Sequence, residues 1–387
     1  MPSRHVKLVT IYFDLSGGRW PAGSDTAALE KDKHAYGGDL VVDDTLTVEC
    51  YRYPIYSIYE ANGWKLHAES AWPGDINNIL TPDPRILERL RSTLKELAAR
   101  YDIVVWDHAT HCYPAIVAEC LPLFKLAILR FGDDCPGSSE RKALPSARYF
   151  DAFIHRMLVW EYSTGRSVPE LYAAHGFKGR FYHDPGGQTG SLWNFVEDPA
   201  SFDLAAKLSR VSTLPIDLVF LGCIGHMNPA RRAFLRELGA RAETGWPQLK
   251  TALHGSELRD GEWMREGSFD LGWAAGLLYR DCRAGVNFPA SSLFNGRLFD
   301  LALTGTAQLV HDKNHELATI GMKDGEHYLE YDGTVDGLMR VVEELRAHPE
   351  ATASLARRAE AHMRELLQRI NPSTILIQVL KDFSNRF

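Results

Sequence analysis

Twice along this chain, short apolar runs alternate with amphipathic stretches, and the pattern stops and restarts near residue 215. Strands alternating with helices build βαβ units and a mainly parallel sheet. A single core stops growing near ~250–300 residues, so a chain of 387 residues divides in two. The expectation is an α/β protein with two Rossmann-like domains, mainly parallel sheets facing across a cleft, and a C-terminal helix that packs back on the first domain. The boundaries fall at 1–190 for the first domain, 191–214 for a linker carrying a surface helix, 215–370 for the second domain and 371–387 for the final helix.

Local signals place the elements. Val6–Phe13 reads as the first strand, and residues 20–75, rich in Tyr, Gly and Asp, read as hairpin-like or irregular. Asp83-Pro84 is a cap followed by proline at the first helical position. Ile86, Leu87, Leu90, Leu94 and Leu97 then set an apolar stripe at helical spacing. Strands follow at 103–106, 125–130, 150–155 and 181–183, with helices at 113–121 and 169–175. In the second half, 215–221 reads as a strand, and Asn228-Pro229 opens a helix that closes at Gly239. Residues 241–270 carry no clear period. A helix near 273–280, a strand at 284–288, a helix at 293–303, a strand at 307–311, a short helix at 315–321 and a strand at 327–331 come next. Two amphipathic helices fill 334–367, and a last helix spans about 373–384.

Composition excludes several classes. The formal charge is −7 and the sequence shows no basic footprint for nucleic acid, which leaves open only a local basic groove inside an acidic protein. No run of ~18 apolar residues spans a membrane, and the N-terminal Met1–His5 leads straight into a strand without an apolar signal region. A cytoplasmic protein is expected. The six cysteines form no C-x-x-C pair, which argues against a disulfide framework or structural zinc.

Ligands of open α/β sheets bind at the carboxyl ends of strands, so the loops there carry the candidate chemistry. Gly222, Gly225 and His226 form a turn between strand and helix, and Arg231 and Arg232 stand in the first helical turn. Exposed N–H groups and the helix dipole favour an anion at such a place. An ordinary tight turn with surface arginines has the same sequence. Asn295, Arg297 and Asp300 sit at and after a second helix start, preceded by Ser291 and Ser292. Arg297 suits a phosphate, and Asp300, three residues on, shares its face and suits ribose hydroxyls. An intrahelical Arg–Asp ion pair is the plain alternative.

In the first half, Asp107, His108 and His111 follow a strand directly. Histidine is the general base suited to neutral pH, and a carboxylate orients it; a loop histidine with a structural role is the competing reading. Asp14, before Gly17-Gly18, is a second candidate base. Asp133-Asp134 and His183-Asp184 are turn carboxylates at the same edge, and either can be simple turn caps.

These residues together resemble the CgeB-like group of glycosyltransferases. The resemblance rests on Tyr279-Arg-Asp-Cys-Arg-Ala-Gly-Val-Asn287-Phe, then Asn295-Gly-Arg297-Leu-Phe-Asp300-Leu-Ala-Leu-Thr-Gly305, and on His327-Tyr328-Leu-Glu-Tyr331. It covers about 110–370, most clearly 280–340. It implies a GT-B fold, with a nucleotide sugar (a UDP-sugar first) held mainly by the second domain. Asp300 takes the place of a ribose-binding carboxylate that is usually Glu. Asn295, Arg297 and the 222–232 turn would hold the diphosphate, and His108 or His111 falls where many GT-B enzymes keep an important histidine. No tightly bound cofactor and no essential metal are expected, and the acceptor is unidentified. A nucleotide-sugar epimerase or phosphorylase of the same architecture, or a non-catalytic binding protein, would share most of these features.

Overall fold

The computed structural model describes residues 4–12, 39–54, 84–107, 112–131, 144–155, 159–161, 166–184, 203–221, 229–254, 278–288, 296–311, 316–370 and 372–387. The chain forms two compact units. The first contains Met1–Trp160, Arg166–Gly187 and Asn371–Phe387, and the second contains Glu161–Gly165 and Gln188–Ile370.

In the first unit the elements are β1 (Arg4–Tyr12), β2 (Leu40–Asp43), β3 (Leu46–Pro54), α1 (Pro84–Ala98), β4 (Ile103–Asp107), α2 (Pro114–Cys120), β5 (Leu126–Phe131), α3 (Leu144–Ala147) and β6 (Ala152–His155). Then come β7 (Val159–Glu161) and β8 (Arg166–Ser167), paired as a short ribbon, α4 (Val168–Ala174) and β9 (Arg180–His183). The sheet runs β2-β3-β1-β4-β5-β6-β9 and is parallel except for the β2–β3 hairpin. The hairpin thus falls inside the segment that reads as hairpin-like, and β3 also pairs in parallel with β1. Apolar periodicity explains α1: Leu90, Leu94 and Leu97 are all buried in one cluster with Val104 and Val117. Ser167 and Glu170 form a reciprocal capping box that starts α4, and Gly176 ends that turn at φ +88°, a conformation glycine adopts without a Cβ penalty.

The second unit opens with α5 (Leu204–Ser209) and continues through β10 (Ile216–Leu221), α6 (Pro229–Gly245), β11 (Thr251–His254), β12 (Cys282–Asn287), α7 (Gly296–Leu303), β13 (Ala307–His311), α8 (Glu316–Thr319), β14 (Leu329–Tyr331), α9 (Val335–Ala347) and α10 (Pro349–Arg369). Its sheet is wholly parallel in the order β11-β10-β12-β13-β14. Strand order therefore reverses between β10 and β12, and the crevice at the carboxyl ends of that pair is where doubly wound sheets place ligands.

Helix α5 is exposed at Ala205, Ala206 and Ser209, while its other side is buried: Lys207 is 1% exposed and Leu208 packs with Val211, Leu214, Ala353 and Ala356. In two places the structure departs from the local sequence signals. Helix α6 passes through Gly239 and ends at Gly245. On that extra length Arg241 bonds Glu237 one turn back at 2.9 Å and pairs with Asp336 of α9, so a local pair and a tertiary one outweigh the glycine. The unassigned 241–270 stretch contributes β11, an edge strand.

The last helix, α11 (Pro372–Asp382), belongs to the first unit. Leu376, Val379, Leu380 and Phe383 cover an apolar sheet face made by Val6, Leu8, Val48, Ile103, Val105 and Ile128. Tyr182 donates to Asp382 at 2.8 Å, and Arg386 pairs with Asp151 at 2.6 Å.

Candidate functional site

The ends of β10 and β12 are joined by one arginine. Arg297, in the first turn of α7, donates from Nε to the Leu221 carbonyl at 2.8 Å, and its Nη2 reaches the same oxygen. Its Nη1 points to the Phe288 carbonyl at 3.4 Å and to Asn287 Oδ1 at 3.5 Å. The guanidinium carbon lies 4.4 Å from the centre of the Phe220 ring, and that of Arg231, from α6, lies 5.1 Å from the same ring. Two cations therefore converge on one fully buried aromatic at the switch point, each attracted by the ring's negative face. Arg231 is 5% exposed, so it is not a surface arginine. Arg232 beside it is half-buried.

Asp300 follows Arg297 on the same helix, but no ion pair joins the two among the described residues. Asp300 is half-buried, and its Oδ1 is fully enclosed without a hydrogen-bond partner. Burial raises its pKa to about 8, against the opposing pull of Arg297. Burial likewise lowers the pKa of Arg297, with Tyr279 and Asp300 opposing; an arginine keeps its charge through such a shift. Tyr279, 2% exposed, completes the group, its phenol pushed up by burial. The arrangement holds concentrated positive charge at the carboxyl edge beside a carboxyl group whose buried oxygen lacks a donor. That is the chemistry of a site for an anion carrying hydroxyls.

In the first unit, Asp107 is the last residue of β4, half-buried, in register with Arg130 on β5. Strands β1 and β4 flank the point where this sheet's order reverses. Asp14, His108, His111, Gly222, Gly225, His226, Asn295, Asp133 and Asp134 lie outside the described residues. So do Cys135 and Cys223, while Cys50, Cys112, Cys120 and Cys282 are buried thiols outside any disulfide. Among the described residues no three His, Cys, Asp or Glu side chains gather as a metal site, and no helix is long and apolar enough to cross a membrane. Sequence reading passed over Phe220, which looks like any strand hydrophobe. Its only signal is its place one residue before the end of β10.

Comparison with known proteins bears on the same half of the chain. A family model described as glycosyl transferase-like matches residues 231–371, which span α6 to the end of α10. No curated protein matches the chain. Among solved structures, an alpha,alpha-trehalose 6-phosphate synthase from Burkholderia multivorans superposes with TM-score 0.52 at 10% identity, covering 100% of this chain and 98% of that one. An alpha,alpha-trehalose-phosphate synthase (UDP-forming) from Burkholderia vietnamiensis gives 0.51 at 11% identity, covering 97% and 100%. A sucrose-phosphate synthase from Thermosynechococcus elongatus gives 0.50 at 10% identity, covering 99% and 100%. With two parallel-dominated sheets and these structural neighbours, the fold is GT-B.

Proposed function

We propose that this protein is a glycosyltransferase that moves a sugar from a nucleoside-diphosphate sugar to an acceptor, with a UDP-sugar as donor. The observation that carries the reading is the switch-point cluster of the second unit. Arg297 and Arg231 converge on Phe220, and Asp300 stands beside them with an enclosed, unpartnered oxygen. The cluster lies almost wholly within the stretch matched by the glycosyl transferase-like model, and one structural neighbour is described as UDP-forming. The finer likeness to the CgeB-like group belongs to the same proposal.

In this reading Arg231 and Arg232, with Gly222, Gly225, His226 and Asn295, hold the diphosphate. Arg297 supplies charge from a guanidinium fixed by the Leu221 carbonyl, and Asp300 receives ribose hydroxyls. Catalysis rests on stabilising negative charge on the departing diphosphate and on positioning. Asp107, His108, His111 and Asp14 are the proposed acceptor-side groups, with a histidine taking the acceptor's proton.

A thermal-shift panel of UDP, GDP and ADP, with the monophosphates and NAD as controls, tests the reading. A ligand at ~100 times its dissociation constant stabilises the native state by about 2.7 kcal/mol. Stabilisation by UDP that Asp300→Asn weakens supports the assignment. A well-folded protein indifferent to every diphosphate removes it.

A further inference from the structure

One face of the first sheet changes character along its strands. Residues two apart on a strand share a face, as do register partners on neighbouring parallel strands. Thr10 on β1 is in register with Arg52 on β3 and Val105 on β4. Asp107, two residues beyond Val105, is in register with Arg130 on β5. Arg130 continues through Ile154 to Tyr182, and Asp184 lies two residues past Tyr182. These residues therefore belong to one face. The amino-terminal half of that face is the apolar surface covered by α11. Its carboxyl-terminal margin is a polar ledge of Arg52, Thr10, Asp107, Arg130 and Asp184, at the edge where α/β sheets take ligands.

Two groups on the ledge are uncommitted. Thr10 is 3% exposed, and its Oγ1 has no hydrogen-bond partner. Asp107 is half-buried, and its carboxylate has neither hydrogen bond nor ion pair among the described residues. They stand on β1 and β4, the two strands of the switch point. An enclosed hydroxyl left unmatched costs free energy that a ligand would recover. The charge around them is balanced and not set for an anion: Arg52 and Arg130 stand with Asp107 and Asp184 on the ledge, and Arg130 faces Asp184 at 3.9 Å, its side chain 15% exposed and that of Asp184 2%.

We propose that this ledge binds an uncharged, hydroxyl-rich ligand, a monosaccharide or polyol without phosphate, with Asp107 and Thr10 hydrogen-bonded to its hydroxyls. The proposal rests on the glycosyl-transfer reading, in which that ligand is the acceptor. A carboxylate accepts two O–H donors, and a threonine hydroxyl both donates and accepts, a pairing suited to neighbouring hydroxyls. A phosphate would meet the Asp107 charge instead.

Saturation-transfer NMR on the full chain tests it, with D-glucose, D-galactose, D-mannose and glycerol against D-glucose 6-phosphate and inorganic phosphate. Wild type, Asp107→Asn and Thr10→Val are compared; Thr10→Val keeps the side chain's shape, and melting midpoints verify folding. The expected result is transfer to at least one neutral probe that weakens roughly tenfold or more in both variants, as loss of a charge-assisted or enclosed hydrogen bond implies. Transfer to the phosphates alone, no transfer to any probe, or neutral-probe signals unchanged in both variants would overturn the proposal. A parallel UDP titration separates the two ideas. UDP binding without a ledge signal removes the ledge and keeps the donor site. A ledge signal without UDP binding keeps the ledge as a sugar site and removes glycosyl transfer.

Discussion

Lys207 donates a 2.7 Å hydrogen bond from its ammonium to the carbonyl oxygen of Tyr279. The same nitrogen reaches the Thr304 carbonyl at 2.8 Å and Thr306 Oγ1 at 2.6 Å. Three donors meet three acceptors, so the buried charge is held by hydrogen bonds. Lys207→Met leaves all three acceptors without this donor. It should cost roughly 2–4 kcal/mol and lower the melting midpoint by roughly 5–15 °C, as read by calorimetry. An unchanged midpoint would show the staple to be idle.

Asp300 should make stability depend on pH in an unusual direction for a carboxylate. Its folded pKa, about 8, is above the ordinary 3.8. Between these values the folded state binds the extra proton, so stability is greatest below the lower value and declines as pH rises through the upper one. Asp300→Asn should remove that decline, making the free protein more stable than wild type at pH 8 by on the order of a few kcal/mol. Denaturant midpoints at pH 5 and pH 8 check this; parallel slopes for the two proteins would contradict it.

A stacked histidine pair should act in the opposite pH range. The rings of His327 and His362 are 4.5 Å apart, with Lys323 N–H donating to His327 Nδ1 at 3.0 Å. Burial, then His362, lowers the pKa of His327; Lys323 and Arg358 add to this, and Glu326 opposes it. The unfolded chain takes up the proton from about pH 6.5 downward, before the folded one does. Stability should therefore fall as pH drops below that value. His327→Gln should flatten the midpoint-against-pH curve between pH 5 and pH 7, and an unaltered curve would assign the slope to other groups.

Gly285 brings β12 against α7. A Cβ there would meet Leu301 Cδ2 at 2.3 Å, and Leu301 is fully buried. Gly285→Ala should cost about 1–3 kcal/mol through overpacking. Leu301→Ala in the same chain should make the added methyl far less costly, which a double-mutant cycle of urea midpoints would measure.

The parallel strands were legible because each is a short apolar run between turn residues, and α1 because its stripe is regular. Lys207 shows why other features were hidden. A lysine in Leu-Ala-Ala-Lys-Leu-Ser reads as solvated, and its acceptors come from residues 279, 304 and 306, which no local pattern connects. Arg297 and Asp300 were visible as a motif. Their separation into a carbonyl-bound guanidinium and an enclosed carboxyl was not, because it depends on where β10 ends. Strand β11 was missed because Thr251–His254 is short and half-exposed, without the continuous burial that marks its neighbours.

Because α11 closes the apolar face of the first sheet, that sheet is assembled from segments synthesised far apart in time. At ~5–20 residues per second, translation of the intervening second unit takes roughly ten to forty seconds. Through that interval the nascent first sheet carries Val6, Leu8, Val105 and Ile128 without their cover, a hydrophobic surface open to chaperones. The second unit is continuous apart from Glu161–Gly165, so its apolar surfaces find their partners within one stretch of chain and have no such wait.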